Sequence, residues 1–148
     1  MYEKLGCFIN GEWRTETGKG ENVINPVDES VLAFLPHATK KDLEDALESA
    51  KNGFTIWKNT PVQERAEILQ KTANLIEERS EQISRIITLE QGKTLKESQG
   101  ELQRTVETFR WNAAYAIENT EQRSILRKTG LRQSVRVEPV GVSLGLTP

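Results

Sequence analysis

After Pro139 the chain reads VGVSLGLTP, apolar at almost every position from Val140 to Pro148. A strand with one wet face alternates apolar and polar residues. A strand covered on both faces of a parallel sheet reads instead as a continuous apolar run. Such a strand needs neighbours at its sides and helices above and below. A parallel neighbour requires a crossover of a dozen or more residues. None follows Pro148 in this sequence, so the pattern predicts a chain cut just as an α/β domain opens.

The stretch before it has a different period. SILRKTGLRQSVRVEP, Ser124 to Pro139, gives two extended segments about Gly130, with Val135 and Val137 alternating with Ser134, Arg136 and Glu138. That predicts a hairpin with one solvated face. Arg123, Arg127, Lys128, Arg132 and Arg136 cluster here. They could grip an anion, but charges on a hairpin more often keep an edge strand from pairing indiscriminately.

Upstream, short strands give way to helices. Asn10-Gly11 lies between Phe8-Ile9 and Trp13, a two-residue hairpin signal. Asn25-Pro26 marks a loop, and Val31 to Leu35 reads as a buried strand stopped by Pro36. Thr39 caps a first helix carrying Leu43, Ala46, Leu47, Ala50 and Phe54, with Gly53 as its terminator. Thr60-Pro61-Val62-Gln63 reads as a capping box for a helix to about Arg79, apolar at Val62, Ala66, Leu69, Ala73 and Ile76. Ser80 caps a third helix that ends at Gly92. Thr94 to Glu97 is a second capping box, opening a helix to Asn119 with Leu95, Leu102, Val106, Phe109, Ala113 and Ile117 on one face. Leu69, Ala73 and Ile76 are expected to pack on Leu102, Val106 and Phe109. One-sided helices must bury that side against something.

Composition mainly excludes. A chain of 148 residues can bury ~68–70% of its unfolded surface, so size permits a core. Twenty basic against 22 acidic residues leave a net charge of −2. Neither nucleic acid nor an anionic membrane is an expected partner. No run approaches the ~20 apolar residues of a membrane span. MYEKLGCFING has no signal-peptide core, so the expected location is cytoplasmic. One cysteine and one histidine exclude an internal disulfide and Cys-rich or His-pair metal motifs.

Few residues invite chemistry. Cys7 is the sole thiol and His37 lies in a loop; both read as structural or solvent-facing. Gly92-Lys93-Thr94 matches the tail of a phosphate-binding loop, but Ile87 stands where that motif needs glycine. Gly141 and Gly145 do not make a dinucleotide fingerprint. The three tryptophans, Trp13, Trp57 and Trp111, lie beside the apolar sets and read as core. No catalytic or metal-binding constellation is expected.

Four segments in order resemble the aldehyde dehydrogenase family. They are FINGEW, then NPVDESVLAFLPHATKKDLEDALESAKNGF, then PVQERAEILQKTANLIEERSEQISRIITLEQGKTLKESQGEL, and finally VRVEPVGVSLGLTP. The phrase around EQGK and the helix after it are most similar to succinate-semialdehyde-type members. The resemblance implies oxidation of an aldehyde to a carboxylic acid with NAD or NADP. It implies a cysteine nucleophile, an oxyanion hole drawing on an asparagine, and a glutamate that activates water. Of these groups the chain holds none: Cys7 is not in the nucleophile's context, and the asparagine would fall just after Pro148. Only Leu146, Thr147 and Pro148 match a functional stretch, where the resemblance implies contacts lining the cofactor site; isoleucine is common where Leu146 stands. It further implies that the stretch from Ser124 to Glu138 forms oligomerisation strands; with the unpaired edge and the apolar run after it, a homo-oligomer through residues 124–148 is expected.

The expected fold is a fragment of an α/β protein, with residues 1–123 as an N-terminal hairpin and about four helices. Residues 124–139 follow as an oligomerisation hairpin, and residues 140–148 as the first strand of a truncated NAD(P)-binding domain. The alternatives are a stand-alone helical interaction or oligomerisation module, and a regulatory fragment that joins intact dehydrogenase subunits through residues 124–138.

Overall fold

The computed structural model describes residues 5–15, 19–119, 123–135 and 137–147. The first strand pair is β1, Cys7–Ile9, with β2, Glu12–Arg14. They are antiparallel, with Phe8 opposite Trp13 and the two rings 5.3 Å apart. Asn10 and Gly11 both take positive φ, 52° and 82°, which is the turn that matches strand twist in a two-residue hairpin. The second pair is β3, Gly20–Ile24, with β4, Val31–Pro36, so the apolar run at Val31 is a strand as expected. Its loop is organised by half-turn hydrogen bonds: the Val27 amide donates to Asn25 Oδ1 at 3.0 Å, and the Asn25 amide donates to the Ser30 carbonyl at 2.9 Å.

Four helices follow: α1, Lys40–Trp57; α2, Val62–Glu78; α3, Ser80–Gln91; and α4, Leu95–Glu118. Two begin as the caps predict. The Asp42 amide donates to Thr39 Oγ1 while the Thr39 amide donates to Asp42 Oδ2 at 2.8 Å. The Glu97 amide donates to Thr94 Oγ1 while the Thr94 amide donates to Glu97 Oε2 at 3.0 Å. Gly92 takes φ 70° and ends α3, its amide donating to the Thr88 carbonyl at 2.9 Å. A side chain there would also meet Pro26 of the β3–β4 loop, 2.9 Å from where its Cβ would lie.

Three boundaries differ from expectation. α1 runs through Gly53 to Trp57, because a glycine weakens a helix without ending it. Pro61, not Thr60, precedes α2, and no side chain caps that helix. The Thr60 hydroxyl turns back and donates to the Ile56 carbonyl of α1 at 3.0 Å. Arg79 precedes α3, leaving Ser80 inside the helix and again no side-chain cap. With a single residue separating α2 from α3, there is no extended position from which Ser80 could cap.

The core lies between α2 and α4. Ala66 and Ala73 of α2 are buried, as are Leu102, Val106 and Ala113 of α4. The expected face is formed, though Leu69, Ile76 and Phe109 are only half-buried at its rim. Arg110 ties the rim by donating to Glu77 Oε2 at 2.7 Å and Asn74 Oδ1 at 3.2 Å. α3 packs on α4 through Ser84 and Ser98, both fully buried, and the Thr88 and Ser98 hydroxyls are 2.9 Å apart. Small residues let these two helices approach closely.

The last pair, β5, Arg123–Leu126, with β6, Arg132–Val135, is the expected hairpin about Gly130. Its described residues from 125 to 135 are all exposed. The strand expected at 140–148 does not form over residues 140–147, and Pro148 lies outside the described residues. A strand is held by its ladder, and among the described residues no strand pairs with this stretch.

Leu102→Ala is expected to destabilise the chain by about 2–4 kcal/mol, against under about 1 kcal/mol for Leu95→Ala at a site 42% exposed. Ser84 Oγ is buried with no hydrogen-bond partner among the described residues, so Ser84→Ala is expected to be at least as stable as wild type. Urea melts monitored by circular dichroism rank the three. Equal losses for the two leucines place the core elsewhere, and a lower midpoint for Ser84→Ala means its hydroxyl is satisfied.

Candidate functional site

The end of β2 meets the first turns of α1. Arg14 Nη1 donates to Asp42 Oδ1 at 3.0 Å and to Asp45 Oδ2 at 2.7 Å. Lys41 Nζ donates to Asp45 Oδ1 at 3.1 Å. Asp42 and Asp45 stand three apart, on one edge of a helix, so both reach one guanidinium. The Thr39 hydroxyl and amide, then Arg14, hold the Asp42 carboxyl down at about 2. Hydrogen bonds from Arg14 and Lys41 lower Asp45, and the same two carboxylates raise Arg14. Sequence reasoning missed this clamp. The spacing of Asp42 and Asp45 was visible, but nothing local pairs them with a residue 28 and 31 positions earlier.

The clamp floors a cleft of about 710 Å³, also lined by Cys7, Trp13, His37 and Thr39. Two cations and two carboxylates cancel there, and every one of the four is engaged, so the cleft has no net pull on a charged ligand. The cleft brings Cys7 and His37 together, yet no hydrogen bond joins them among the described residues. His37 Nε2 faces Glu21 Oε1 at 3.6 Å in an exposed pair, and Cys7 is a free, half-buried thiol. A nucleophile needs a base within hydrogen-bond reach and a third group to orient that base. The described residues of the cleft offer no such chain.

The other sequence candidates are scattered. Gly92 and Thr94 serve as helix end and helix cap, and Lys93 Nζ pairs with Glu101 Oε2 at 2.7 Å. Leu146 and Thr147 are exposed, and Pro148 is outside the described residues. Arg127 is held by Gln133, donating to Oε1 from Nε at 3.0 Å and from Nη2 at 2.8 Å. Arg136 and the Arg123 side chain lie outside what is described. Among the described residues no group of three His, Cys, Asp or Glu could hold a metal, and no helix is long and apolar enough to cross a membrane.

With no catalytic constellation to read, the fold and sequence as a whole decide the family. The family model described as "Aldehyde dehydrogenase family" matches residues 13–148. The chain belongs to the aldehyde dehydrogenase family. It is 39% identical over 149 aligned residues to a malonate-semialdehyde dehydrogenase of Bacillus cytotoxicus, a match covering 99% of this chain and 30% of that protein. The chain therefore spans about a third of the length of such relatives. Among solved structures, betaine aldehyde dehydrogenase of Staphylococcus aureus in complex with NAD+ matches with a TM-score of 0.73 at 27% identity, over 81% of this chain and 24% of its own. An aldehyde dehydrogenase of Physcomitrella patens, solved with the reaction product succinate, matches with a TM-score of 0.78 at 26% identity, over 88% of this chain and 27% of its own. The mixed α/β fragment expected from the sequence is thus the N-terminal region of this family's fold.

The clamp sets an acid dependence. The Asp42 carboxyl is held below its ordinary 3.8, at about 2, and Asp45 shifts the same way. The stabilisation is full above the ordinary value and is lost as pH falls through about 2. The urea midpoint of wild type is expected to fall between about pH 4 and pH 2 by more than that of Asp42→Asn. Parallel falls in the two proteins show that the clamp does not couple to folding.

Proposed function

We propose that this chain is the N-terminal part of an NAD(P)-dependent aldehyde dehydrogenase that oxidises an aldehyde to a carboxylic acid. The observation that carries the reading is the match of residues 13–148 to the family. Residues 124–139 serve as an oligomerisation hairpin, and residues 140–148 open the NAD(P)-binding domain. Leu146, Thr147 and Pro148 line the cofactor site once the rest of that domain surrounds them. The substrate is a small semialdehyde, supported by the names of the relatives, malonate-semialdehyde dehydrogenases. The location is cytoplasmic.

The chain's own residues supply shape, not chemistry. The family's catalytic cysteine and glutamate have no counterpart here, and Cys7 has no hydrogen bond to His37 in the cleft they share. The 148-residue chain alone is therefore inactive. What it contributes is a helical layer whose α2–α4 contact is complete in itself, together with a strand-forming run awaiting a sheet. That self-contained layer also supports the second reading, a helical interaction or oligomerisation module acting through exposed apolar faces.

Two measurements separate these readings. A chimera joining this chain to the remainder of the Bacillus cytotoxicus enzyme is expected to reduce NAD or NADP with malonate semialdehyde, while the isolated chain does not. An inactive but folded chimera favours the module. The isolated chain is also expected to self-associate through residues 124–148. The β5–β6 edge is open, and Val140, Leu144 and Leu146 are almost fully exposed. Light scattering should show association that strengthens with salt and vanishes in a version ending at Asn119. Equal association by the shortened chain rules out this segment as the contact.

A further inference from the structure

The sequence contains the pair Asn-Gly twice, at Asn10-Gly11 and at Asn52-Gly53. Asparagine is one of the chemically labile residues, and glycine after it removes the main obstacle to its reaction. The peptide nitrogen of the glycine can reach the side-chain carbonyl carbon of the asparagine, because no Cβ blocks the approach. Two freedoms are needed. The carboxamide must be able to swing over the next peptide, and that peptide's N–H must not be held by a partner.

The fold grants these freedoms to one pair and denies them to the other. Asn52 and Gly53 lie inside α1, Lys40–Trp57. There each peptide N–H is bonded to the carbonyl four residues back, and the helix fixes the backbone angles about both residues. Asn10 and Gly11 form the turn between β1 and β2, with φ 52° and 82°. Both are exposed. The strand pairing closes at Ile9 opposite Glu12, so the Gly11 amide lies outside the ladder, and no backbone partner for it occurs among the described residues. A Cβ built on Gly11 would meet nothing within 4 Å, so nothing crowds the approach. Each strand is only three residues long, and a two-stranded hairpin is marginal, so little has to open for the turn to change shape.

We propose that Asn10 is a site of spontaneous covalent modification, at which deamidation and isomerisation rebuild the β1–β2 turn. The Gly11 nitrogen gives up its proton and bonds to Asn10 Cγ. The bond from Cγ to Nδ2 breaks, and ammonia leaves with that proton. A five-membered succinimide remains, and water then opens it. Opening at the bond to Cγ leaves aspartate. Opening at the bond to the backbone carbonyl leaves isoaspartate, whose main chain runs through Cγ. Water is the only co-reactant, and nothing is oxidised or reduced. Isoaspartate places an extra methylene in the main chain of a two-residue turn. Such turns hold a hairpin together because their twist matches that of the strands, and the added atom removes the match. The pairing of Phe8 with Trp13 and of Cys7 with Arg14 lies directly beyond it. The modification therefore loosens the element that carries Arg14 to Asp42 and Asp45.

The test is peptide mass spectrometry on the 148-residue chain during incubation at mildly alkaline pH, once folded and once in urea. In the folded chain Asn10 is expected to convert at least about tenfold faster than Asn52, because α1 must open locally before Asn52 can react. In urea the two are expected to convert at comparable rates. Equal rates in the folded chain, or no conversion at Asn10, overturn the proposal. So does a gap that persists in urea, which would assign it to neighbouring residues instead of the fold. The isoaspartate form, separated by chromatography, is expected to exchange the amide hydrogens of residues 7–14 faster than the unmodified chain. Unchanged exchange there rejects the coupling between the modification and the hairpin.

Discussion

The close approach of α2 and α4 is the contact on which the helical layer of α2, α3 and α4 depends. Ala66 and Ala73 leave room on α2 for Leu102 and Val106 of α4, and Ala113 continues the same face. Alanines contribute little apolar area themselves; they let larger side chains opposite reach backbone and pack densely. α3 is then fixed by sharing α4, through the buried serines Ser84 and Ser98. Its end at Gly92 lies against Pro26, which ties the β3–β4 loop to the helical layer. Among the described residues only Ile9 adds a buried apolar side chain outside the helices. The energy of the fold is thus concentrated in one seam.

That seam was legible because both partners announce themselves. The period was enough for α2, whose expected cap does not form, and α4 carried both its period and its Thr94 cap; Thr39 and Gly92 marked α1 and α3 in the same way. Asn10-Gly11 did the same for the first hairpin. The misreadings share a cause. Gly53 and Thr60 were read from local chemistry, but Phe54 and Trp57 continue a helical stripe past Gly53, and the Thr60 hydroxyl finds the Ile56 carbonyl before it can cap α2. The rotation of α1 was beyond local reading altogether. Its stripe was visible, but the Arg14 contact that aims it spans 28 positions.

The candidate site was legible in a different sense. Residue chemistry offered no mechanism, and in the structure Cys7 and His37 line the cleft at the clamp with no hydrogen bond between them. What the sequence carried was the order of its segments, which is a property of the whole fold. The terminal run shows the same separation of pattern from structure. From Val140 to Leu146 the residues have the composition of a strand buried on both faces, yet strand geometry needs hydrogen-bonding neighbours, and composition cannot stand in for them.

On α1, orientation and apolar burial are settled separately, though one contact usually settles both. Half-exposed ion pairs such as Arg14 with Asp42 and Asp45 contribute little net stability, because water competes for both charges. They need not contribute much. The guanidinium of Arg14 donates to both carboxylates, and turning the helix would break both bonds at once. Apolar burial is non-directional and would pull the stripe inward against the hairpin if nothing opposed it. A weak but directional contact can decide orientation where a stronger, non-directional one cannot. By this logic the exposed leucines of α1 are not a packing defect of the chain. They are the consequence of settling its orientation with charge.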